Sequence, residues 1–267
     1  MDNAYRPPSE QEAPQFKDAA HRIAQARAFA HGAHDYDDVR PSYPNEVVEF
    51  LLAGAGQVPV DVVDIGAGTG KLTDRLAADP RARKVLAVEP SSDMAAAVGA
   101  KHPVVRATAE ATALTTDGFQ LATLAQTWHW LNIPAACREL DRIIRRGGRV
   151  GLVWNTIDVN SDPWVLRLAR IMHSGDIQRP GFVPEVAAPW RVEDELRTGF
   201  TDTLTPELLH QLMHTRSYWL RANEKTRRRM TDNLNWYLFE HLGLAPGQPV
   251  GLPYRTDAFL LGRMNGS

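Results

Sequence analysis

Cysteine is nearly absent from this chain, which has a single one, Cys137, among 267 residues. One cysteine excludes an intrachain disulfide, so the composition is best suited to a reducing compartment. Cys137 lies in AACREL, a segment whose pattern predicts a helix. We therefore interpret it as a small, buried apolar residue.

Long apolar runs and an excess of charge of either sign are also missing. No stretch approaches the roughly 18 apolar residues that a membrane-spanning helix needs, and the N-terminal MDNAYRPPSEQEAPQF has no apolar signal core. The formal net charge is −2, whereas dedicated nucleic-acid-binding proteins usually have a basic excess. We expect a soluble cytoplasmic protein with no membrane partner. The charge disfavours a nucleic-acid partner but does not exclude a local basic face, and the oligomeric state stays open.

From residue 58 onward, short valine-rich runs alternate with helix-like segments. The runs are nearly continuous in apolar residues, as is typical of parallel strands buried on both faces. Five such strands are predicted in VPVDVVDIG, KVLAVEP, PVVRA, FQLATLAQ and RVGLVWN. The segments KLTDRLAA, SSDMAAAVGA and IPAACRELDRIIRR predict helices, the last ending at Gly147 and Gly148. The alternation predicts a doubly wound α/β fold with a mainly parallel sheet of about seven strands.

A glycine-rich turn joins the first predicted strand to a helix in VVDIGAGTGKL, residues 62–72. Gly66, Gly68 and Gly70 alternate, and so tight a turn needs backbone angles that a side chain would resist. Dinucleotide-binding turns have the spacing G-x-G-x-x-G, but Lys71 stands where their third glycine would be. The pattern is G-x-G-x-G, preceded by an acid, Asp64. A purely structural turn and a nicotinamide site are the alternatives.

A second acid, Glu89, ends the second predicted strand in VLAVEPSSDM. An acid about 20 residues beyond a glycine turn can accept hydrogen bonds from both hydroxyls of a ribose. The alternative is a strand-end carboxylate that only caps the next helix, because Ser91 and Ser92 lie nearby.

The motif D-x-G-x-G-x-G after a first strand resembles that of class I S-adenosylmethionine-dependent methyltransferases, and the chain is similar to their type 11-like subgroup. The resemblance implies S-adenosyl-L-methionine as the cofactor, with Asp64 helping to bind its ammonium group directly or through water. It implies that Glu89 binds the ribose, that Ala109 and Glu110 lie beside the adenine, and that Gln126 faces the methionyl end. A solvated loop glutamate is the alternative for Glu110. The other implied cofactor contacts are Gly66, Ala67, Gly68, Gly70, Leu72, Pro90, Met94 and Thr127.

Residues 34–44, HDYDDVRPSYP, resemble the Y-x-x-x-R-P-x-Y-P segment of a bacterial and fungal subgroup of these enzymes. The similarity extends over roughly residues 29–262. It implies that Tyr36, Arg40 and Tyr43 lie over the cofactor as part of a lid. The alternative is a structural N-terminal loop.

These features divide the chain into five predicted regions. An N-terminal tail (1–28) precedes a lid and helix (29–57) and the cofactor-binding α/β core (58–155). A helical and loop-rich cap with the sixth strand (156–246) and a C-terminal strand (247–267) follow. Inside the cap, residues 176–203 are predicted to be loop-rich, and TPELLHQLMHTRSYWL and NEKTRRRMTDNLNWYLFEHL to be two helices. We expect the lid and the cap to determine the choice of substrate.

The segment AQTWHWL, residues 125–131, follows the fourth predicted strand, at the edge where open α/β sheets place ligands. His129 could act there as a general base, because histidine titrates near neutrality. The alternative is a histidine packed between Trp128 and Trp130. No metal site is predicted: His210 and His214 are four residues apart, but the sequence suggests no third ligand.

Together, the motifs predict an S-adenosylmethionine-dependent methyltransferase that acts on a small molecule. One alternative is a non-catalytic S-adenosylmethionine-binding module that regulates a partner. Another is a nicotinamide-dependent oxidoreductase, which the glycine spacing disfavours. Methyltransferases that act on the exocyclic amines of nucleic-acid bases often carry Asn/Asp-Pro-Pro-Tyr where this chain has Gln126-Thr127-Trp128-His129. This difference disfavours a nucleic-acid methyltransferase.

Overall fold

The structure, a computed structural model, describes residues 39–56, 58–173 and 178–264. The predicted tail (1–28) and the predicted lid residue Tyr36 lie outside these ranges. The described residues form two compact units. The sheet unit contains residues of 42–155, 184–198 and 256–264. The helical unit contains residues of 39–41, 156–183 and 199–255.

Strands and helices alternate in the first part of the chain, as predicted. The first five strands are β1 (Val60–Ile65), β2 (Ala82–Val88), β3 (Val104–Val105), β4 (Phe119–Ala125) and β5 (Ile144–Ile157). The helices that precede and separate them are α1 (Asn45–Gly54), α2 (Lys71–Ala77), α3 (Ser92–Gly99) and α4 (Ile133–Ile143). A 3₁₀ turn, Trp128–Trp130, follows β4.

Seven strands form one mixed sheet in the order β3-β2-β1-β4-β5-β7-β6, where β6 is Trp190–Leu204 and β7 is Val250–Arg263. The first five of these pair in parallel; Asp64 of β1, for example, lies opposite Ala87 of β2 and Thr123 of β4. The strand order reverses between β1 and β4. Open α/β sheets bind ligands beyond the carboxyl ends of the strands at such a reversal. The predicted fold class is confirmed.

The core of the sheet unit is formed by α1 and the central strands. All six residues of β1 are buried, including Asp61 and Asp64, which interrupt its mainly apolar run. One face of α1 packs on this layer through Val47, Val48, Leu51 and Leu52, all buried. Cys137, on α4, is fully buried, as predicted.

The helical unit has its own core, built from α5 (Pro163–Ile171), α6 (Pro206–His214), α7 (Ser217–Arg221) and α8 (Glu224–Asn235). A π-helical turn, Trp236–His241, follows α8. The side chains of Asp162, Thr205 and Asn223 accept hydrogen bonds from first-turn amides and so cap α5, α6 and α8. Among the described residues, no helix has the length and apolar character that crossing a membrane requires.

One predicted loop is a strand. Residues 176–203 were expected to be loop-rich, but β6 occupies most of the second half of this segment. β6 lies at the end of the strand order, and most of its side chains are exposed or half-buried. Edge strands tolerate charged side chains such as Glu193, Asp194 and Glu195. Those charges removed the apolar signal on which the prediction depended.

Two helix predictions are also wrong in their extents. The helix expected to reach Gly147 ends at Ile143, because Ile144 already pairs with Phe119 of β4. The segment TPELLHQLMHTRSYWL is two helices, because Arg216 adopts an extended conformation between α6 and α7. The following segment ends in the π-helical turn rather than in a regular helix.

Candidate active site

Three glycines with positive φ carry the chain from β1 into α2: φ is 70° at Gly66, 59° at Gly68 and 97° at Gly70. A Cβ at Gly66 would lie 2.4 Å from the side chain of Thr127, and one at Gly70 would lie 2.9 Å from Val98. Around Gly68 the nearest atom to such a Cβ is the sulfur of Met94, at 3.8 Å. The turn is therefore closely packed at its two ends and open at its middle glycine.

The turn is held by the ends of both neighbouring strands. The amides of Gly66 and Ala67 donate to the carbonyl oxygen of Val88, at 2.8 and 3.2 Å. From the β4 side, the hydroxyl of Thr127 donates to the carbonyl oxygens of Gly66 and Ala125, at 3.2 and 2.9 Å. Two residues of the predicted site, Ala67 and Thr127, thus fix the shape of the turn.

Glu89 contacts the middle of the turn at Gly68. One of its carboxylate oxygens accepts a hydrogen bond from the amide of Gly68 at 2.9 Å, and the other accepts one from the amide of Ser91 at 2.8 Å. The residue is 6% exposed. Desolvation raises the pKa of Glu89, the two amide bonds oppose this, and the charge of Asp64 adds to it. Each oxygen keeps a lone pair for a further donor.

Asp64 is buried beside the turn rather than exposed at its surface. Its two carboxylate oxygens accept hydrogen bonds from the hydroxyls of Thr73, at 2.6 Å, and Thr123, at 2.8 Å. Desolvation raises the pKa of Asp64, and the two hydroxyl bonds oppose the shift. Sequence analysis missed both threonines, because neither belongs to the glycine motif; the parallel pairing of β1 with β4 brings Thr123 to Asp64.

Gln126 ends β4 in a strained conformation, with φ at 54°. Its backbone amide donates to the carbonyl oxygen of Val153 at 2.8 Å, and its side-chain amide donates to the backbone carbonyl oxygen of Asn155. Asn155 is buried, donates to the carbonyl oxygen of Ser42 at 3.1 Å and accepts from the hydroxyl of Thr256 at 2.7 Å. Sequence analysis missed Asn155 as a site residue, since its partners are 113 and 101 positions away.

Ala109 and Glu110 follow β3, where Ala109 is buried and Glu110 is half-buried. One oxygen of Glu110 accepts a hydrogen bond of 2.9 Å from the amide of Asn132, the residue that caps α4. Glu110 is therefore attached to the start of α4 and is not simply solvated. Pro90, beside Glu89, is exposed.

Three other residues of the predicted site contact the rest of the protein: two pack in the core of the sheet unit, and one forms hydrogen bonds within the helical unit. The side chains of Leu72 and Tyr43 are buried in the core of the sheet unit. The guanidinium of Arg40 donates to the hydroxyl and to the carbonyl oxygen of Thr215, both at 3.0 Å, within the helical unit. A cation at the carboxyl end of a helix, here α6, is electrostatically favourable. Their contact with a cofactor, and that of Tyr36, stays a prediction.

Comparison with known proteins gives the family. The family described as "Methyltransferase domain" matches residues 63–152, which run from β1 into β5 and include the glycine turn, Glu89 and Gln126. An uncharacterized methyltransferase of Mycobacterium bovis is 36% identical over 234 residues, covering 86% of this chain and 93% of its own length. The chain belongs to the methyltransferase family. The resemblance inferred from the glycine motif is confirmed.

A further relative and a solved structure are also similar to this methyltransferase. A methyltransferase-like protein of Schizosaccharomyces pombe is 28% identical over 246 residues, covering 87% of this chain and 94% of its own. A solved structure assigned to a type II methyltransferase of Anaeromyxobacter dehalogenans aligns with a TM-score of 0.64 at 22% identity, covering 84% of this chain and 97% of that one. The second likeness shows a shared fold.

In this methyltransferase His129 lies in the 3₁₀ turn that follows Gln126 and Thr127. Its ring is half-buried and tilted against that of Trp130, with 4.8 Å between centroids. The turn is fixed by Trp128, which is buried and whose indole donates to the carbonyl oxygen of Glu185 at 2.8 Å. His129 as a general base stays a prediction. Within the described residues, no cluster of three or more His, Cys, Asp or Glu side chains could hold a metal.

Proposed function

We propose that this methyltransferase uses S-adenosyl-L-methionine as its methyl donor and transfers the methyl group to a small molecule. The observation that carries the proposal is the bond from the amide of Gly68 to the carboxylate of Glu89, beside the open space over Gly68. It supplies a nearly buried acceptor with lone pairs for two hydroxyls next to a backbone that a ligand can approach closely. A ribose needs such an acceptor pair.

The other residues of the turn suit a cofactor without phosphates. The helix after the turn, α2, is only seven residues long and begins with Lys71, where a dinucleotide site would have glycine. Ala109 and Glu110 would border the adenine, and Gln126 the methionyl end. Asp64 would bind the ammonium group through a water molecule or attract it across the turn, because its carboxylate oxygens already accept hydrogen bonds from two threonines.

When bound, S-adenosyl-L-methionine would supply a methyl carbon activated by a sulfonium, which the acceptor atom of the substrate would take with release of S-adenosylhomocysteine and loss of its own proton to a base or to water. The residues of the protein align the acceptor and exclude water. His129, at the carboxyl end of β4, would take the proton.

Two experiments test this proposal. Titration calorimetry with S-adenosylhomocysteine should show binding to the wild-type protein, and the Glu89→Ala variant should bind it more weakly. A screen of small metabolites with methyl-labelled cofactor should then transfer label to an acceptor. Tight binding of NAD without binding of S-adenosylhomocysteine would contradict the choice of cofactor. Binding of S-adenosylhomocysteine with no label transfer to any small acceptor would favour the regulatory module.

A further inference from the structure

A cavity of about 600 Å³ lies in the helical unit and is lined mainly by α5 and α8. Its apolar lining includes Leu166 and Ile171, which are half-buried and pack on the core of the unit. Its polar lining includes Arg167 and Arg170 of α5 and Asn233 of α8. The volume lies in the range of sites that bind small organic molecules. No residue of the proposed cofactor site lines this cavity.

The charged side chains that line the cavity are basic. The helix α5 carries two arginines and no acidic residue, and Arg167 and Arg170 are three positions apart, on one face. On α8, Arg229 precedes Asn233 by one turn. The pKa of His173, which also lines the cavity, is lowered by partial desolvation and by the charge of Arg229. Neither Arg167 nor Arg229 forms an ion pair with any carboxylate in the described part of the chain.

Arg167 is held in place by aromatic rings rather than by an acid. Its guanidinium carbon lies 5.1 Å from the ring centroid of Trp236 and 5.3 Å from that of Tyr237. Tyr237 is itself fixed, because it is 1% exposed and its hydroxyl donates to the carbonyl oxygen of Trp164 at 2.8 Å. A guanidinium held by ring contacts loses little conformational freedom when it binds a planar acceptor, and its N–H donors stay available.

We propose that this cavity binds an amphiphilic anion. Its carboxylate or phosphate-ester head would be held by Arg167 and Arg170, and its apolar part would lie against Leu166 and Ile171. The apolar lining favours an amphiphile over a bare inorganic ion, because burial of the apolar part adds free energy to the head-group contacts. The site is independent of the proposed cofactor site.

Calorimetry with two amphiphilic anions tests the proposal. Decanoate or decyl phosphate should bind with one site per chain, and the preference between them identifies the head group. Decyltrimethylammonium, which has the same apolar chain and the opposite charge, should not bind, and inorganic phosphate should bind about tenfold more weakly or worse. Binding of neither anion would overturn the proposal, and so would equal binding of the cationic and anionic amphiphiles.

Variants of the full-length protein locate the site. The double change Arg167→Gln with Arg170→Gln should raise the dissociation constant of the anion about tenfold or more, because it removes charged hydrogen-bond donors. The control is Arg228→Gln, which removes an exposed arginine of α8 that is paired with Glu224. The control should leave the constant unchanged; an equal loss in both would show a general charge effect and overturn the site.

Two further measurements serve as controls for the double variant. Thermal unfolding and the affinity for S-adenosylhomocysteine should be unchanged in the double variant, so misfolding is distinguished from loss of the site. Failure of the wild type to bind S-adenosylhomocysteine would contradict the proposed function and leave this site intact. A short single-stranded oligonucleotide is also tested as a competitor of bound decanoate. If it displaces decanoate at a lower concentration than decyl phosphate does, the cavity binds nucleic acid instead, and the proposal is overturned.

Discussion

The amide of Gly68 and the carboxylate of Glu89 are joined by a hydrogen bond of 2.9 Å across 21 residues of sequence. The bond ties the turn after β1 to the end of β2, and β1 is one of the two strands between which the strand order reverses. It also fixes a nearly buried carboxylate beside Gly68, where the nearest atom to a Cβ would be the sulfur of Met94 at 3.8 Å. The proposed ribose site depends on this arrangement.

Replacing Glu89 should weaken cofactor binding and leave the fold intact. We expect Glu89→Ala to reduce the affinity for S-adenosylhomocysteine by about 1.5–3 kcal/mol, the range for hydrogen bonds to a charged group. Calorimetry measures the change. Glu49→Ala, which removes an exposed glutamate of α1, is the matched control and should have no effect. An unchanged affinity in Glu89→Ala would remove Glu89 from the site.

Asp64→Asn should make the protein more stable and weaken its binding of the cofactor. Because desolvation raises the pKa of Asp64 in the folded state, its charged form costs folding free energy; the cost is full above the folded-state pKa, shrinks as the pH falls below it and is gone below the pKa of the unfolded chain. The asparagine is uncharged at every pH, and the hydroxyls of Thr73 and Thr123 can donate or accept. The variant should be more stable than wild type at pH 8, with the difference shrinking on acidification.

The same variant should bind S-adenosylhomocysteine less well, since the negative charge that attracts the ammonium group is gone. Denaturant unfolding at a series of pH values gives the stability difference, and calorimetry at pH 8 gives the affinity. A variant that is less stable than wild type at pH 8, by an amount that does not change with pH, would contradict this account of Asp64.

How much of this was visible in the sequence differs between the fold and the site. The glycine turn and Glu89 lie within one stretch of chain, and their spacing alone predicts how they meet. The strands β1 and β4 are buried on both faces, so their apolar runs are unambiguous. The edge strand β6 is only half-buried, and its charged residues gave a loop-like pattern. Only the two end residues of β6 are buried, so the strand lacks the regular alternation of apolar and polar residues that would have predicted it.

The parts of the site that were missed are created by distant contacts. Thr123 reaches Asp64 through strand pairing, and Asn155 meets Thr256 and Ser42 through the packing of the sheet unit. Their side chains belong to no motif, so only the fold reveals them. The positive φ of Gln126 is likewise set by its two hydrogen bonds to the neighbouring strand β5 rather than by local sequence.

Gly66→Ala should be more destabilising than its backbone angle alone explains. Gly243, with φ at 67° and nothing within 4 Å of a Cβ, is a matched control for the left-handed conformation at Gly66, with φ at 70°. We expect Gly243→Ala to cost about 1–2 kcal/mol. Gly66→Ala should cost a further 1–3 kcal/mol or so, because its Cβ would overlap Thr127.

Denaturant titration of the two glycine variants measures the difference in the free energy of unfolding. The comparison isolates the close approach between the turn and the end of β4. Equal destabilisation by the two substitutions would show that Thr127 moves aside at no cost, and that the turn is held less firmly than its hydrogen bonds indicate.

His129→Gln tests the proposed general base. We expect turnover to fall by about 10²–10⁴-fold, with affinity for S-adenosylhomocysteine nearly unchanged. The wild-type pH–rate profile should lose activity on the acid side as the base becomes protonated, and this limb should be absent in the variant. A variant with the wild-type profile and rate but a lower unfolding temperature would make His129 a packing residue.

The choice of cofactor is the central claim, and one calorimetric comparison tests it most directly. Wild-type protein is titrated with S-adenosylhomocysteine and, separately, with NAD under the same conditions. The structure of the turn, with Gly66-x-Gly68-x-Gly70-Lys71 above Glu89, predicts a saturable heat with S-adenosylhomocysteine and little or none with NAD. Saturable binding of NAD, with no heat from S-adenosylhomocysteine, would contradict it.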